Sequence, residues 1–166
     1  QFYFRLPTEA EWEYCCKAGT GYEFLTSDNY DENEEALVNG DDFQDLEEFF
    51  ESVGSSGRNK WGIYDMLGNV PEWCSDYFDG DYYLDSPATD PENTTTVSEA
   101  RVIKGAPSYY CVNYYPVPCR SSARHFICID NDPDKEALSS EFEEDDEDES
   151  NCNLAGLRLI ATRKQG

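Results

Sequence analysis

The sequence is short of positive charge. It has 12 Lys and Arg against 36 Asp and Glu, a formal net charge of -24. Such a surface repels phosphate, which argues against DNA, RNA and anionic membrane surfaces as partners. There is one histidine, His125, and no two cysteines stand at CxxC spacing, so a structural zinc site is not expected. No apolar run approaches the ~20 residues of a membrane span, so membrane insertion is not expected either. The opening QFYFRLPTEA lacks the basic start and long apolar stretch of a signal peptide. The seven cysteines are odd in number, which leaves at least one unpaired within the chain and the redox compartment open.

What remains is enough to fold. A chain of 166 residues suits one domain of ordinary size. High net charge with few aromatics would predict disorder, but 12 Tyr, 9 Phe and 3 Trp supply a core.

The clearest element is a helix over residues 8–18. Thr8 is a good N-cap, Glu11 completes a capping box, and Gly19 is the expected stop. Trp12 shares a face with Cys15 or Cys16, which predicts packing on a sheet. Ala36–Asn39 reads as a short strand, and Phe43, Leu46, Phe49 and Phe50 have helical spacing over 41–52. Residues 61–80 are dense in aromatics and turn residues, with tight turns expected at Gly62, Gly68 and Gly80. ARVIK (100–104) and the closing LAGLRLIATR read as strands. The sequon at Asn93 reads as a chance match. The run 141–150 holds eight acidic side chains and reads as a solvated or disordered surface insert. With no long helix and no βαβ rhythm, a single α+β domain over 1–166 is expected, with small twisted antiparallel sheets, few short helices and much loop.

Three blocks in order carry a family resemblance. RLPTEAEWEY (5–14), GIYDMLGNVPEWC (62–74) and RVIKG…CRSSAR…GLRLI (101–160) resemble the formylglycine-generating-enzyme/sulfatase-modifying-factor family, whose fold is a variant of the C-type lectin fold. The family pattern has a further stretch before RLPTEAEWE, so a minimal or truncated version is expected. Asn69 and Glu72 match positions near a calcium site in some members, but a turn and a surface carboxylate are the expected roles. Trp73 and Val70 are expected in the core, and Arg158 as a buried, hydrogen-bonded arginine on a strand.

The family's named activity is the copper-dependent oxidation of a substrate cysteine to formylglycine. The resemblance implies two close cysteines that bind Cu(I), a soft ion suited to thiolates. Ser108-Tyr109-Tyr110-Cys111 fits the first half of the pattern, but the second position is Pro116, which cannot ligate a metal, and Cys119 lies beyond it. Gly105 is followed by Ala106 and Pro107 in place of a second glycine. No enzymatic activity and no committed cofactor are therefore expected, with Cu and Ca possible by resemblance. A copper-dependent oxidoreductase using Cys111 is the alternative.

A second branch of the family fits the sequence better. The chain resembles the variable proteins of diversity-generating retroelements, in which a C-type lectin frame carries a hypervariable ligand-binding surface. The corresponding region here is 105–153, including the acidic insert. Residues 105–134 contain no Glu, Lys, Gln, Met or Trp, where a uniform share would give about 5 or 6. Those five residues are the ones that codons ending in a pyrimidine cannot encode, as expected of mutagenesis at template adenines in AAY codons.

The expected ligand-binding residues are Tyr109, Tyr110, Val112, Asn113, Tyr114, Tyr115, Val117, His125, Phe126, Ile127, Ile129, Asp130 and Asn131. Tyrosines give large amphipathic contacts at low entropy cost, and clustered apolar residues suggest a recognition patch. Ile127 and Ile129 could instead alternate into the core as a strand. The expected partner is a macromolecule, a protein or cell-surface receptor. Display on a virion or cell follows if the retroelement resemblance holds.

Overall fold

The structure is a computed structural model that describes residues 2–24, 52–55, 57–95, 99–105, 120–128 and 155–163. The expected strand at Ala36–Asn39, the helix over 41–52 apart from Ser52, and the acidic run 141–150 lie outside the described residues.

Helix α1 spans Glu9–Lys17 and is capped as the sequence predicts. The Thr8 hydroxyl accepts from the Glu11 N–H at 3.1 Å, and the Glu11 carboxylate accepts from the Thr8 N–H at 2.9 Å. The left-handed turn begins at Ala18 (φ 47°), one residue before the expected Gly19 (φ 74°). Asn59 ties off the last turn. Its Nδ2 donates to the Cys15 and Cys16 carbonyls while its Oδ1 accepts from the Trp61 and Ile63 N–H groups. Carbonyls that a helix end leaves unpaired are thus satisfied by a side chain from the following loop.

Two antiparallel sheets form among the described residues. Strand β1 (Phe2–Arg5) pairs with β5 (Ile160–Arg163), so the closing segment returns to the opening one. Strands β2 (Glu72–Tyr77), β3 (Ala100–Lys104) and β4 (His125–Cys128) form a second sheet in that order. A one-turn helix, α2, spans Tyr82–Asp85. Gly68 and Asn69 make the expected turn, with φ 86° and 57°.

Strand alternation puts Glu72, Cys74 and Asp76 on the buried face of β2, with Trp73, Ser75 and Tyr77 half-buried on the other. Trp12, Cys16, Phe24, Met66, Leu67, Cys74 and Val102 form the core between α1 and the sheet. Val70 and Trp73, expected in the core, are only half-buried. Arg158 is hydrogen-bonded as expected, but it precedes β5 and keeps partial exposure. Asn93 is buried and its Nδ2 donates to the Tyr77 carbonyl, so the sequon nitrogen is spent within the fold.

Candidate functional site: a polar frame around residues 106–119

Charged residues are rarely buried unless paired. Glu9 is 1% exposed and Lys104 0% exposed. Glu9 falls three residues before Trp12 on the inward face of α1. Arg124 grips it with both forks, Nε to Oε1 at 2.7 Å and Nη2 to Oε2 at 3.0 Å. The guanidinium also donates to the Asp79 carbonyl and lies 5.1 and 5.0 Å from the ring centres of Phe78 and Tyr83. Lys104 Nζ sits 3.8 Å from Glu9 and 3.6 Å from Glu13, and 5.6 Å from the Trp12 ring centre. These are ion-pair distances, and Nζ makes no hydrogen bond among the described residues.

Asp76 completes the cluster by accepting from the Glu9 and Asn93 N–H groups at 2.8 and 2.9 Å. Burial pushes its carboxyl up, against the pull of those two donors and with a smaller upward push from Glu9.

Glu72 is buried, not on the surface as expected. Its carboxylate accepts from Trp12 Nε1 at 2.8 Å and from Arg158 Nε and Nη2, each at 2.7 Å. Both oxygens are taken, so this carboxylate does not fit the calcium role that the resemblance raised. Two of the described cysteines do not fit Cu(I) either. Cys16 and Cys74 are buried thiols; burial pushes Cys16 up to about 12 and Cys74 up as well, so both stay protonated. Cys111, Pro116 and Cys119 lie outside the described residues.

The frame flanks residues 106–119 on both sides. Upstream are Lys104 and Gly105. At Gly105 (φ 80°) an added Cβ would sit 2.8 Å from the Met66 carbonyl oxygen and 2.9 Å from the Trp12 ring. Downstream, the buried Ser121 N–H donates to the Glu23 carbonyl at 2.7 Å, and Arg124 holds Glu9. Of the thirteen expected ligand-binding residues, only His125, Phe126 and Ile127 are described. They lie on β4 opposite Ile103, Val102 and Arg101. Alternation places His125 and Ile127 on the face away from α1. Phe126 turns to the other face, its ring centre 4.3 Å from that of Phe78. Tyr109, Tyr110, Val112, Asn113, Tyr114, Tyr115, Val117, Ile129, Asp130 and Asn131 lie outside the described residues.

Sequence reasoning missed the Glu9–Arg124–Lys104 cluster. The signal was present, since Glu9, Trp12 and Cys16 follow helical spacing and Arg124 stands in the CRSSAR block.

Small antiparallel sheets, one main helix among the described residues and the order of the sequence blocks define an α+β domain of the C-type-lectin-like class. Residues 3–162 match the model of the sulfatase-modifying factor enzyme 1-like domain, and the chain belongs to that family. Formylglycine-generating enzyme of Streptomyces coelicolor is 36% identical over 136 residues, covering 71% of this chain and 41% of that protein. The enzyme of the same name from Thermomonospora curvata is 34% identical over 155 residues, covering 83% and 48%. Among solved structures, Treponema denticola variable protein 1 aligns with a TM-score of 0.59 at 28% identity, covering 75% of this chain and 42% of that one. PvdO from Pseudomonas aeruginosa aligns with a TM-score of 0.56 at 31% identity, covering 74% and 46%. The chain thus spans less than half the length of each of these relatives.

These relatives correct one expectation. A domain without chemistry was expected because Pro116 occupies the second cysteine position and Ala106 and Pro107 follow Gly105. The chain instead belongs to a family whose curated relatives include formylglycine-generating enzymes. Departures at Pro116 and after Gly105 were too narrow a ground for excluding activity.

Proposed function

We propose that this domain recognises a macromolecular ligand, a protein or cell-surface receptor, through residues 109–131 carried on the polar frame. The observation that carries the proposal is the likeness to Treponema denticola variable protein 1. It is supported by the anchoring of both flanks of residues 106–119, at Gly105 and at Arg124. A frame held by its own core and ion pairs lets surface residues change without unfolding the domain. The tyrosines of YYCVNYYPVP suit recognition, and the absence of Glu, Lys, Gln, Met and Trp over 105–134 suits adenine-directed variation.

Sequencing this locus across a population tests the proposal. Codons for 109–118 and 125–131 should vary and end in pyrimidines, while those for the frame block CRSSAR stay fixed. Invariant codons, or many ending in purines, would sink the variable-surface reading.

A second reading is favoured by the identity to formylglycine-generating enzymes. In it, Cys111 serves a copper-dependent oxidation of a substrate cysteine. Cu(I) titration of the protein and of Cys111→Ala decides it. Tight binding lost in the variant supports this reading, and equal weak binding by both refutes it.

A further inference from the structure

A cavity of about 510 Å³ opens beside β2 and β3, lined by Arg5, Leu6, Trp73, Cys74, Ser75, Glu92 and Arg101. Its volume is in the range of small-molecule sites. The charges on its wall are unevenly satisfied. Arg5 is spent: its two terminal nitrogens each reach a Glu11 oxygen at 2.6 Å. Arg101 is not. One guanidinium nitrogen donates to the Ser75 carbonyl and the plane stacks 3.5 Å from the Tyr77 ring centre, which orients it. It has no carboxylate partner among the described residues, so most of its five donors are uncommitted. Glu92 is the mirror case. Its carboxylate accepts from the Ser75 hydroxyl at 2.9 Å and forms no ion pair among the described residues.

Ser75 therefore stands between a cation and an anion that form no ion pair among the described residues, through its carbonyl and its hydroxyl, at the edge of a cavity also walled by Leu6 and Trp73. An anion alone would meet Glu92, and a cation alone would meet Arg101. A ligand with both charges satisfies both walls. Being neutral overall, it is also not repelled by a chain of net charge -24.

We infer that this cavity binds a free α-amino acid with an apolar side chain. Its carboxylate pairs with Arg101, its ammonium with Glu92, and its side chain lies against Leu6 and Trp73. Two parallel N–H donors from one guanidinium match a carboxylate, and such bonds are stronger than neutral ones.

Calorimetric titration with L-leucine tests the inference, with N-acetyl-L-leucine and L-leucinamide as probes lacking one charge each. L-leucine should bind, and each blocked analogue should bind at least tenfold more weakly. Glu92→Gln should weaken L-leucine at least tenfold and close its gap to N-acetyl-L-leucine, while L-leucinamide stays behind L-leucine by about the same factor as in the wild type. Arg101→Met should abolish the preference for a free carboxylate. Glu92 is exposed, so Glu92→Gln tests the site even if Arg101→Met fails to fold. No heat from L-leucine up to about 10 mM, a concentration that would detect millimolar affinity, overturns the inference. So does equal binding of L-leucine by the wild type and Glu92→Gln.

Discussion

Arg124→Ala should be among the most damaging single changes in this domain. Arg124 lies 115 residues from Glu9 in sequence, and its guanidinium makes two short bonds to a carboxylate that is 1% exposed. Removing the guanidinium leaves Glu9 with Lys104 at 3.8 Å as its remaining cation. Breaking a buried pair by deleting one partner costs about 3–5 kcal/mol, because the other charge stays desolvated. The lost contacts with Phe78 and Tyr83 add about 0.5–1 kcal/mol each. Against a typical folding free energy of about 5–15 kcal/mol, this removes a large share. Arg124→Lys keeps the charge but loses the fork, and should cost less, about 1.5–3 kcal/mol.

Urea unfolding followed by tryptophan fluorescence measures both, and Trp12 lies within the same core. Amide exchange at β4 should rise in Arg124→Ala even in mild urea, since β4 begins one residue after the lost anchor. A cost below about 1 kcal/mol for Arg124→Ala would show that water replaces the guanidinium. The idea of a frame that clamps this flank would then fail.

Four other outcomes follow from the same geometry. Lys104→Met should be neutral or stabilising by about 1 kcal/mol in urea, because the buried ammonium makes no hydrogen bond and Glu9 keeps Arg124; a loss above about 3 kcal/mol would show that the ion pairs outweigh desolvation. Gly105→Ala should cost about 2–5 kcal/mol, from a positive φ and contacts of 2.8 and 2.9 Å that must open; a thermal shift under one degree or so would contradict the close approach. The Arg5 hydrogen bonds hold Glu11 below its ordinary value of 4.5, so this pair stabilises the fold fully above that pH and loses its effect as pH falls through the lowered value. Because both side chains are about a third exposed, Glu11→Gln should remove only about 0.5–1 kcal/mol at pH 7 and progressively less as the pH falls through the lowered value, by urea midpoints at each pH. Finally, iodoacetamide at pH 8 should spare Cys16 and Cys74 in the folded protein, as read by peptide mass spectrometry; rapid labelling of either would mean that the core opens.

The legible part of the fold was local. Thr8 and Glu11 announce the start of α1 because a capping box is written within four residues. ARVIK reads as a strand for the same reason, a dense run of β-formers with clear limits. Glu72 was misjudged because its neighbours are far away in sequence. A carboxylate next to a turn is usually solvated, and nothing within LGNVPEWC signals that Trp12 and Arg158 will close over it. Trp73 was misplaced for a related reason. Its hydrophobicity is local information, but which face of β2 meets α1 is decided by register, and Cys74 took the inward position. At the candidate site, β4 was readable as a possible strand, but not that Phe126 would turn toward Phe78 while His125 and Ile127 turn away.

The distribution of charge ties these points together. The chain is strongly acidic overall, yet Glu9, Glu11 and Glu72 are each gripped by a guanidinium, and Arg124, Arg5 and Arg158 are three of only 12 Lys and Arg. Each of these bonds joins segments that are not neighbours in the fold's regular hydrogen bonding: a loop to α1, β1 to α1, and the approach to β5 to β2. A scarce residue type is thus concentrated at joints between elements, where a fork of donors holds position better than apolar contact alone. Arg101 differs from these three, an oriented guanidinium with no carboxylate among the described residues, facing a cavity. Its guanidinium is held by the Ser75 carbonyl and the Tyr77 ring, and a ligand carboxylate in that cavity would supply the counter-ion that the described residues do not.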